Sequence, residues 1–311
     1  MISRALLVRG GAAALAFLPL AVRAQSAAVA LRVGTGTVEA NAQIFYAADM
    51  GFFKKNGLDV EVVKLRSGTT TMAAIVAGDL QCGVANVLSL GAAHQRGVPL
   101  VMTAPGAYYD GNAPTTTIVV APDSTYKSAK DLNGKAVAVI SVGGLDQLAL
   151  DAWVDKTGGD LSSVKCIEVP PSAMADALAR GSIAAAVMND PEMSQALESK
   201  QVKLLANGYD AIAKLFMQTA WFSTQDWLDK NKDVARRFSD AIVAGGAWGM
   251  ANQEAAAAIL AKWTGSKEAH PRIRFASKLD PALIQPVYDS AARYKLLAGP
   301  VTAADFTWNG K

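Results

Sequence analysis

Apolar and polar positions recur along this chain with two alternating periods. Residues 30–34 are a short apolar run, read as a buried strand entering a Gly-Thr loop at Thr35 to Thr37. Asn41 stands where a helix cap belongs, and the positions after it predict a helix to about Met50, ended by Gly51. Residues 58–65 alternate as a strand. Ser67-Gly68-Thr69-Thr70 then precedes an Ala/Ile/Val-rich helix that stops at Gly78. A strand over 81–85, a helix over 89–96 and a strand over 100–104 continue the succession.

The cycle repeats further along. Residues 116–121 are a β-rich run closed by Pro122, and 127–132 with Asn133-Gly134 form a short helix and turn. A strand over 136–140 runs into Ser141-Val142-Gly143-Gly144 and a helix through Val154. Strand (165–169), helix (173–180) and strand (184–188) follow, and Asn189-Asp190-Pro191 turns the chain into a helix over 193–200. Residues 216–222 are β-like again, and a helical tail covers 227–250, 253–263 and 281–297. Such alternation predicts an α/β chain of two lobes, with mostly parallel sheets and flanking helices. Lobe 1 takes 30–117 plus 218–311, and lobe 2 is inserted as 118–217. Two crossings, near Val119–Val120 and Met217–Thr219, form the hinge.

Ahead of these elements lies a leader of different texture. Arg4 and Arg9 precede an apolar run over 10–22, and the run ends at Val22-Arg23-Ala24. A basic start, a short apolar centre and a small-residue exit predict a secretory signal over 1–24, cleaved to leave Gln25 first. The apolar run falls short of the ~20 residues of a spanning helix. No cysteine is near for a lipid tether, so the product is expected free in the periplasm as a monomer. The whole chain has 30 Lys+Arg against 27 Asp+Glu, but Arg4, Arg9 and Arg23 all lie in the leader, and the rest is neutral. Nucleic acid, which asks for a clustered basic surface, is therefore not an expected partner.

The remaining chemistry is sparse. Cys82 and Cys166 sit far apart in apolar, strand-like stretches, one in each lobe, and are expected as two free, poorly reactive thiols. With them and only His94 and His270, no metal-ligand spacing arises, and no metal or cofactor is expected. A serine hydrolase would need a Gly-x-Ser-x-Gly elbow, which the chain lacks.

The segment Gln43-Ile44-Phe45-Tyr46-Ala47-Ala48-Asp49-Met50-Gly51-Phe52-Phe53-Lys54-Lys55-Asn56-Gly57-Leu58-Asp59-Val60-Glu61 resembles the opening of nitrate/sulfonate/taurine-type substrate-binding proteins. Ser67-Gly68, Ala77-Gly78-Asp79-Leu80-Gln81-Cys82-Gly83-Val84-Ala85 and Lys130-Asp131-Leu132-Asn133-Gly134-Lys135 fit the same pattern. The resemblance implies a periplasmic-binding-protein fold and capture of a small solute, delivered to an ABC permease. Sulfonates, nitrate and carboxylates are the implied solutes. Relatives that bind pyrimidine vitamin precursors, and thiamine-pyrimidine synthases on the same scaffold, remain as alternatives. A sensory or chaperone-like interaction protein would need only the same fold.

Ligands of open α/β sheets lie beyond the carboxyl ends of the strands. Three strand-to-helix turns there are small and polar: Ser67 to Thr70, Asn86 to Ser89, and Ser141 to Gly144. Backbone N–H groups at a helix start, with the helix dipole, favour an anion, and Gly68, Gly143 and Gly144 allow close approach. Ser and Thr at such places also serve as ordinary caps. Thr37 and Asn41 in the first loop join the candidate contacts, together with Asn86. Tyr108, in a loop Tyr108-Tyr109-Asp110, is a candidate to stack on a ring, and Asn189 and Asp190 to bond ligand from the second lobe. Trp221 is expected in the core.

Overall fold

A computed structural model describes residues 28–265 and 271–310. The expected signal over 1–24 and His270 fall outside the described residues. Thirteen strands are described: β1 (Val29–Thr35), β2 (Leu58–Lys64), β3 (Cys82–Asn86), β4 (Leu100–Pro105), β5 (Ala107–Asp110), β6 (Thr116–Val120), β7 (Ala136–Val139), β8 (Lys165–Glu168), β9 (Ala185–Asn189), β10 (Lys203–Ala206), β11 (Leu215–Met217), β12 (Thr219–Thr224) and β13 (Arg274–Phe275). The α-helices are α1 (Gln43–Asp49), α2 (Phe52–Lys55), α3 (Gly68–Val76), α4 (Val87–Gln95), α5 (Leu145–Lys156), α6 (Pro171–Ala179), α7 (Glu192–Glu198), α8 (Gln225–Lys230), α9 (Lys232–Ala251), α10 (Gln253–Thr264) and α11 (Gln285–Arg293).

Two five-stranded sheets frame two α/β lobes, in the orders β2-β1-β3-β12-β4 and β10-β6-β9-β7-β8. Each has one reversed strand, β12 in the first and β6 in the second, antiparallel to both neighbours. Each reversed strand is also the one by which the chain enters that sheet from the other. The carboxyl ends of the remaining strands and the start of the reversed strand therefore share one edge. A three-stranded antiparallel sheet, β11-β5-β13, joins the two.

The segment over 43–47 is buried on every side because α9 and α10 pack around α1, and Gly51 ends the turn in the left-handed region at φ 70°. One core cluster, with Ile44, Phe45, Tyr46, Trp221 and Phe238, fills that face of the first sheet. A second runs continuously from Leu88, Met102 and Tyr288 through Tyr109 and Phe216 to Ile118 and Leu148, so the lobes share apolar packing at the joining sheet. Trp221 is fully buried, as expected.

Several expectations change. Asn41 does not cap α1: it ends a 3-10 turn, Ala42 takes the cap position, and the Asn41 amide donates to Gly36 O at 3.2 Å. Residues 108–110, read as loop, are strand β5, since β11 and β13 on either side satisfy its backbone. The single run over 216–222 breaks at Gln218, where the chain passes from the joining sheet to the first sheet. The crossing expected at Val119–Val120 lies inside β6, paired with β10. The tail helix over 281–297 shrinks to α11 behind a 3-10 turn at Pro281–Leu283. Cys82 is buried, but Cys166 lies on edge strand β8 and is only half-buried. Burial pushes both thiols up, that of Cys166 to about 12, so both stay protonated and unreactive at neutral pH.

Candidate functional site

The first-lobe turns meet at one edge. An ideal Cβ on Gly68 would lie 2.7 Å from Ala85 Cβ and 3.1 Å from Ala85 Cα, which sets the start of α3 directly on the end of β3. Ser67 closes a capping box with Thr70: its Oγ accepts from Thr70 N–H, and Thr70 Oγ1 accepts from Ser67 N–H. That leaves Gly68 N–H and Thr69 N–H, the first two of α3, without intrahelical partners. Asn86 caps α4 by accepting from Ser89 N–H at 2.8 Å, and Val87 N–H is taken by Gln218 O. Thr37 and Thr69 are exposed beside this edge. Gly68 is thus a packing glycine. Gly68→Val should lower stability by about 1–3 kcal/mol through overpacking against Ala85. Urea unfolding without ligand would measure it, and an unchanged midpoint would show that α3 moves away freely.

The second-lobe turn differs from its expectation. Its backbone donors are not free: Val142 N–H donates to Glu168 Oε1 at 2.8 Å, and Gly143 N–H donates to Gln147 Oε1 at 2.8 Å. Gly144 N–H closes back on Ser141 O. Gly143 has φ 76° and open space around it, so its glycine serves a left-handed turn. Asn189 ends β9 opposite Thr116 at the start of β6, and Asp190 follows it, its N–H donating to Thr115 O. Asp146 is buried beside them, accepts from Tyr209 Oη at 2.7 Å, and has its carboxyl pushed up by burial. Tyr108 lies on β5, and its carbonyl accepts from the Gln218 amide at 2.7 Å. The Asn112 backbone N–H, and after it Arg274, donate to Asp110 and hold its carboxyl below the usual range.

Arg272, which carried no signal in the linear pattern, ties the two lobes at this edge. Its guanidinium donates to Pro114 O at 3.0 Å and Ser194 Oγ at 3.1 Å, and its Nη1 lies 3.7 Å from Asp190 Oδ2. Its backbone N–H and that of Ile273 donate to Glu39 Oε1 at 2.6 and 2.7 Å. Glu39 is buried in the loop between Thr37 and Asn41, and desolvation pushes its carboxyl up to about 7. A cavity of about 190 Å³ lined by Tyr46, Met250, Arg272 and Ile273 adjoins it. The larger concavity, about 550 Å³, lies at the opposite end of the second sheet around Ala121, Ala136 and Ala184, away from the strand carboxyl ends. Among the described residues no cluster could hold a metal ion, and no helix is long and apolar enough to cross a membrane.

The taurine-binding periplasmic protein of Escherichia coli (strain K12) is 28% identical over 236 residues, covering 74% of this chain and 68% of that one. The crystal structure of the periplasmic aliphatic sulphonate binding protein SsuA from Escherichia coli superposes with TM-score 0.75 at 20% identity, over 90% of this chain and 92% of that one. The desulfurization enzyme DSZB superposes with TM-score 0.67 at 15% identity, over 90% and 96%. At these identities the structural likenesses establish the periplasmic-binding-protein fold. Residues 40–256, well over half of the chain, match the profile of the NMT1/THI5-like family. The chain therefore belongs to the NMT1/THI5-like family.

Proposed function

We propose that this protein is the periplasmic solute-binding component of an ABC importer, capturing a small organosulfonate between its lobes, and that it is not an enzyme. The observation that carries the reading is the edge where polar strand ends of both sheets meet, with two unengaged N–H groups at the start of α3. The 28% identity to a protein named for taurine adds the solute class. Thr37, Ser67, Gly68, Thr69, Thr70 and Asn86 supply the first-lobe contacts. Asn189, Asp190 and the exposed part of the Ser141 to Gly144 turn face them from the second lobe. The lobes take residues 30–117 plus 218–311 and 118–217, and closure buries the solute before docking on the permease. Among the described residues, His94 stacks on Phe306 with centroids 4.1 Å apart and both thiols are held protonated, which speaks against catalysis by these groups.

Calorimetric titration of the protein purified from periplasm, with taurine, an aliphatic sulfonate, nitrate and an aminopyrimidine, tests this reading. Saturable one-site binding of a sulfonate is expected. Binding of the aminopyrimidine alone, or chemical conversion of a bound sulfonate, would overturn it.

A further inference from the structure

Glu39 and Arg272 form a continuous path of contacts from one lobe to the other. Glu39 Oε1 accepts two short backbone hydrogen bonds from Arg272 and Ile273, while its Oε2 is buried with no hydrogen-bond partner. Those two bonds fix where Arg272 leaves the first lobe, and the side chain then spans to Pro114, Ser194 and Asp190. Asp190 is held in turn, its Oδ1 accepting from Ser194 N–H at 3.1 Å and Ser194 Oγ at 2.6 Å. Its Oδ2 is also buried without a hydrogen bond. The charged and titratable groups facing Glu39 are Arg272, Asp190 from the end of β9, and Tyr46 from α1, whose hydroxyl is buried and unpartnered. Two carboxylates from opposite lobes therefore converge on Arg272, Glu39 at its backbone N–H and Asp190 beside its guanidinium.

We propose that Glu39 is a positioning residue that sets the reach of Arg272 across the cleft, and that protonation of Glu39 favours the contact between the lobes.

The sign follows from the surroundings. With both carboxylates ionised, one positive charge faces two negative ones, and the excess must be held away from water. Burial, followed by the Asp190 charge, raises the Glu39 carboxyl from its ordinary 4.5 to about 7 in the contacting state. Separating the lobes removes Asp190 and admits water, which returns the carboxyl toward its ordinary value. The contacting state then binds the proton more tightly. It is favoured below neutrality, and the advantage is lost as pH rises through about 7. Each pK unit between the two states is worth about tenfold in their ratio.

Spin labels on cysteines introduced at Lys54 and Arg180, in a Cys166→Ser background, report the interlobe distance without any solute. The proposal therefore stands or falls separately from sulfonate binding. Between pH 8.5 and 6 the short-distance population should grow about tenfold relative to the long one, the rise setting in near pH 7. Glu39→Gln, which keeps an acceptor oxygen but cannot ionise, should be flat over that range and rich in the short distance. Should that variant not fold, Arg272→Gln, at a side chain 42% exposed, removes the one cation facing both carboxylates, so it should be poor in the short distance at pH 8.5 and begin its rise at a higher pH than the unsubstituted pair. A merely structural role for Glu39 would not move the pH profile. A flat response in the unsubstituted pair, or an unaltered response in the variant that folds, overturns the proposal.

Discussion

Trp221→Ala should unfold with a loss of about 3–5 kcal/mol, the range for emptying a fully buried indole site. Trp221 lies on the reversed strand of the first sheet, packs edge-on to Phe238 with centroids 5.7 Å apart, and has no exposed surface. Its Nε1–H donates to Gln43 Oε1 at 3.1 Å, and the other amide atom of Gln43 already lacks a partner. The substitution therefore leaves a cavity and a wholly unpartnered buried amide. An orphaned polar group adds about 1–3 kcal/mol. Trp221→Phe keeps most of the volume and should lose about half as much. Guanidinium unfolding of the three proteins separates the two contributions. Equal losses for Phe and Ala would show that the hydrogen bond, and not the packed volume, dominates.

Gly106→Ala should be nearly as damaging, although it adds one methyl group. Gly106 links β4 to β5 where three passages of the chain meet. Ala107 N–H donates to Thr219 Oγ1 at 2.9 Å, and Gly106 O accepts from Ala276 N–H at 2.9 Å. An added Cβ would stand 2.2 Å from the backbone oxygen of Thr219, and a carbonyl in a sheet cannot rotate away as a side chain does. Overpacking of this kind costs typically 1–3 kcal/mol and more against backbone, so a loss of about 3 kcal/mol is expected. For a chain of this size the melting temperature should fall by about 6–12 °C. Because the clash lies at the junction of the first sheet with the joining sheet, solute affinity should fall as well, in protein that is still folded. A scanning calorimetry trace that matches the unsubstituted protein would refute the close approach.

Much of the fold is legible along the chain. Strand and helix periods locate nearly every element of both five-stranded sheets, because buried parallel strands are written as continuous apolar runs and their helices as wider stripes. Polar turns at Ser67 to Thr70 and Asn86 are legible for the same reason, since a cap bonds to its own helix within three residues. The same locality misleads at Asn41, where a cap residue is present but the chain tightens into a 3-10 turn first. It misleads again at Ser141 to Gly144, whose donors are taken by Glu168 from the end of another strand and by Gln147 from the next turn of helix. β5 and β13 escape sequence reading, and β11 is legible only as the start of the run over 216–222, because these strands are short and owe their strand form to one another, across separations of more than 100 residues. The lone charges that matter, Glu39 and Arg272, carry no periodic signal at all. The order of residues determined the elements, the two similar cycles and the polar strand ends, all consequences of contacts within a few residues. Only the tertiary structure decided which donors are spent, which glycines pack, and which carboxylates converge on Arg272. Those outcomes depend on burial and on partners that the fold, and not the neighbouring sequence, brings within hydrogen-bond distance.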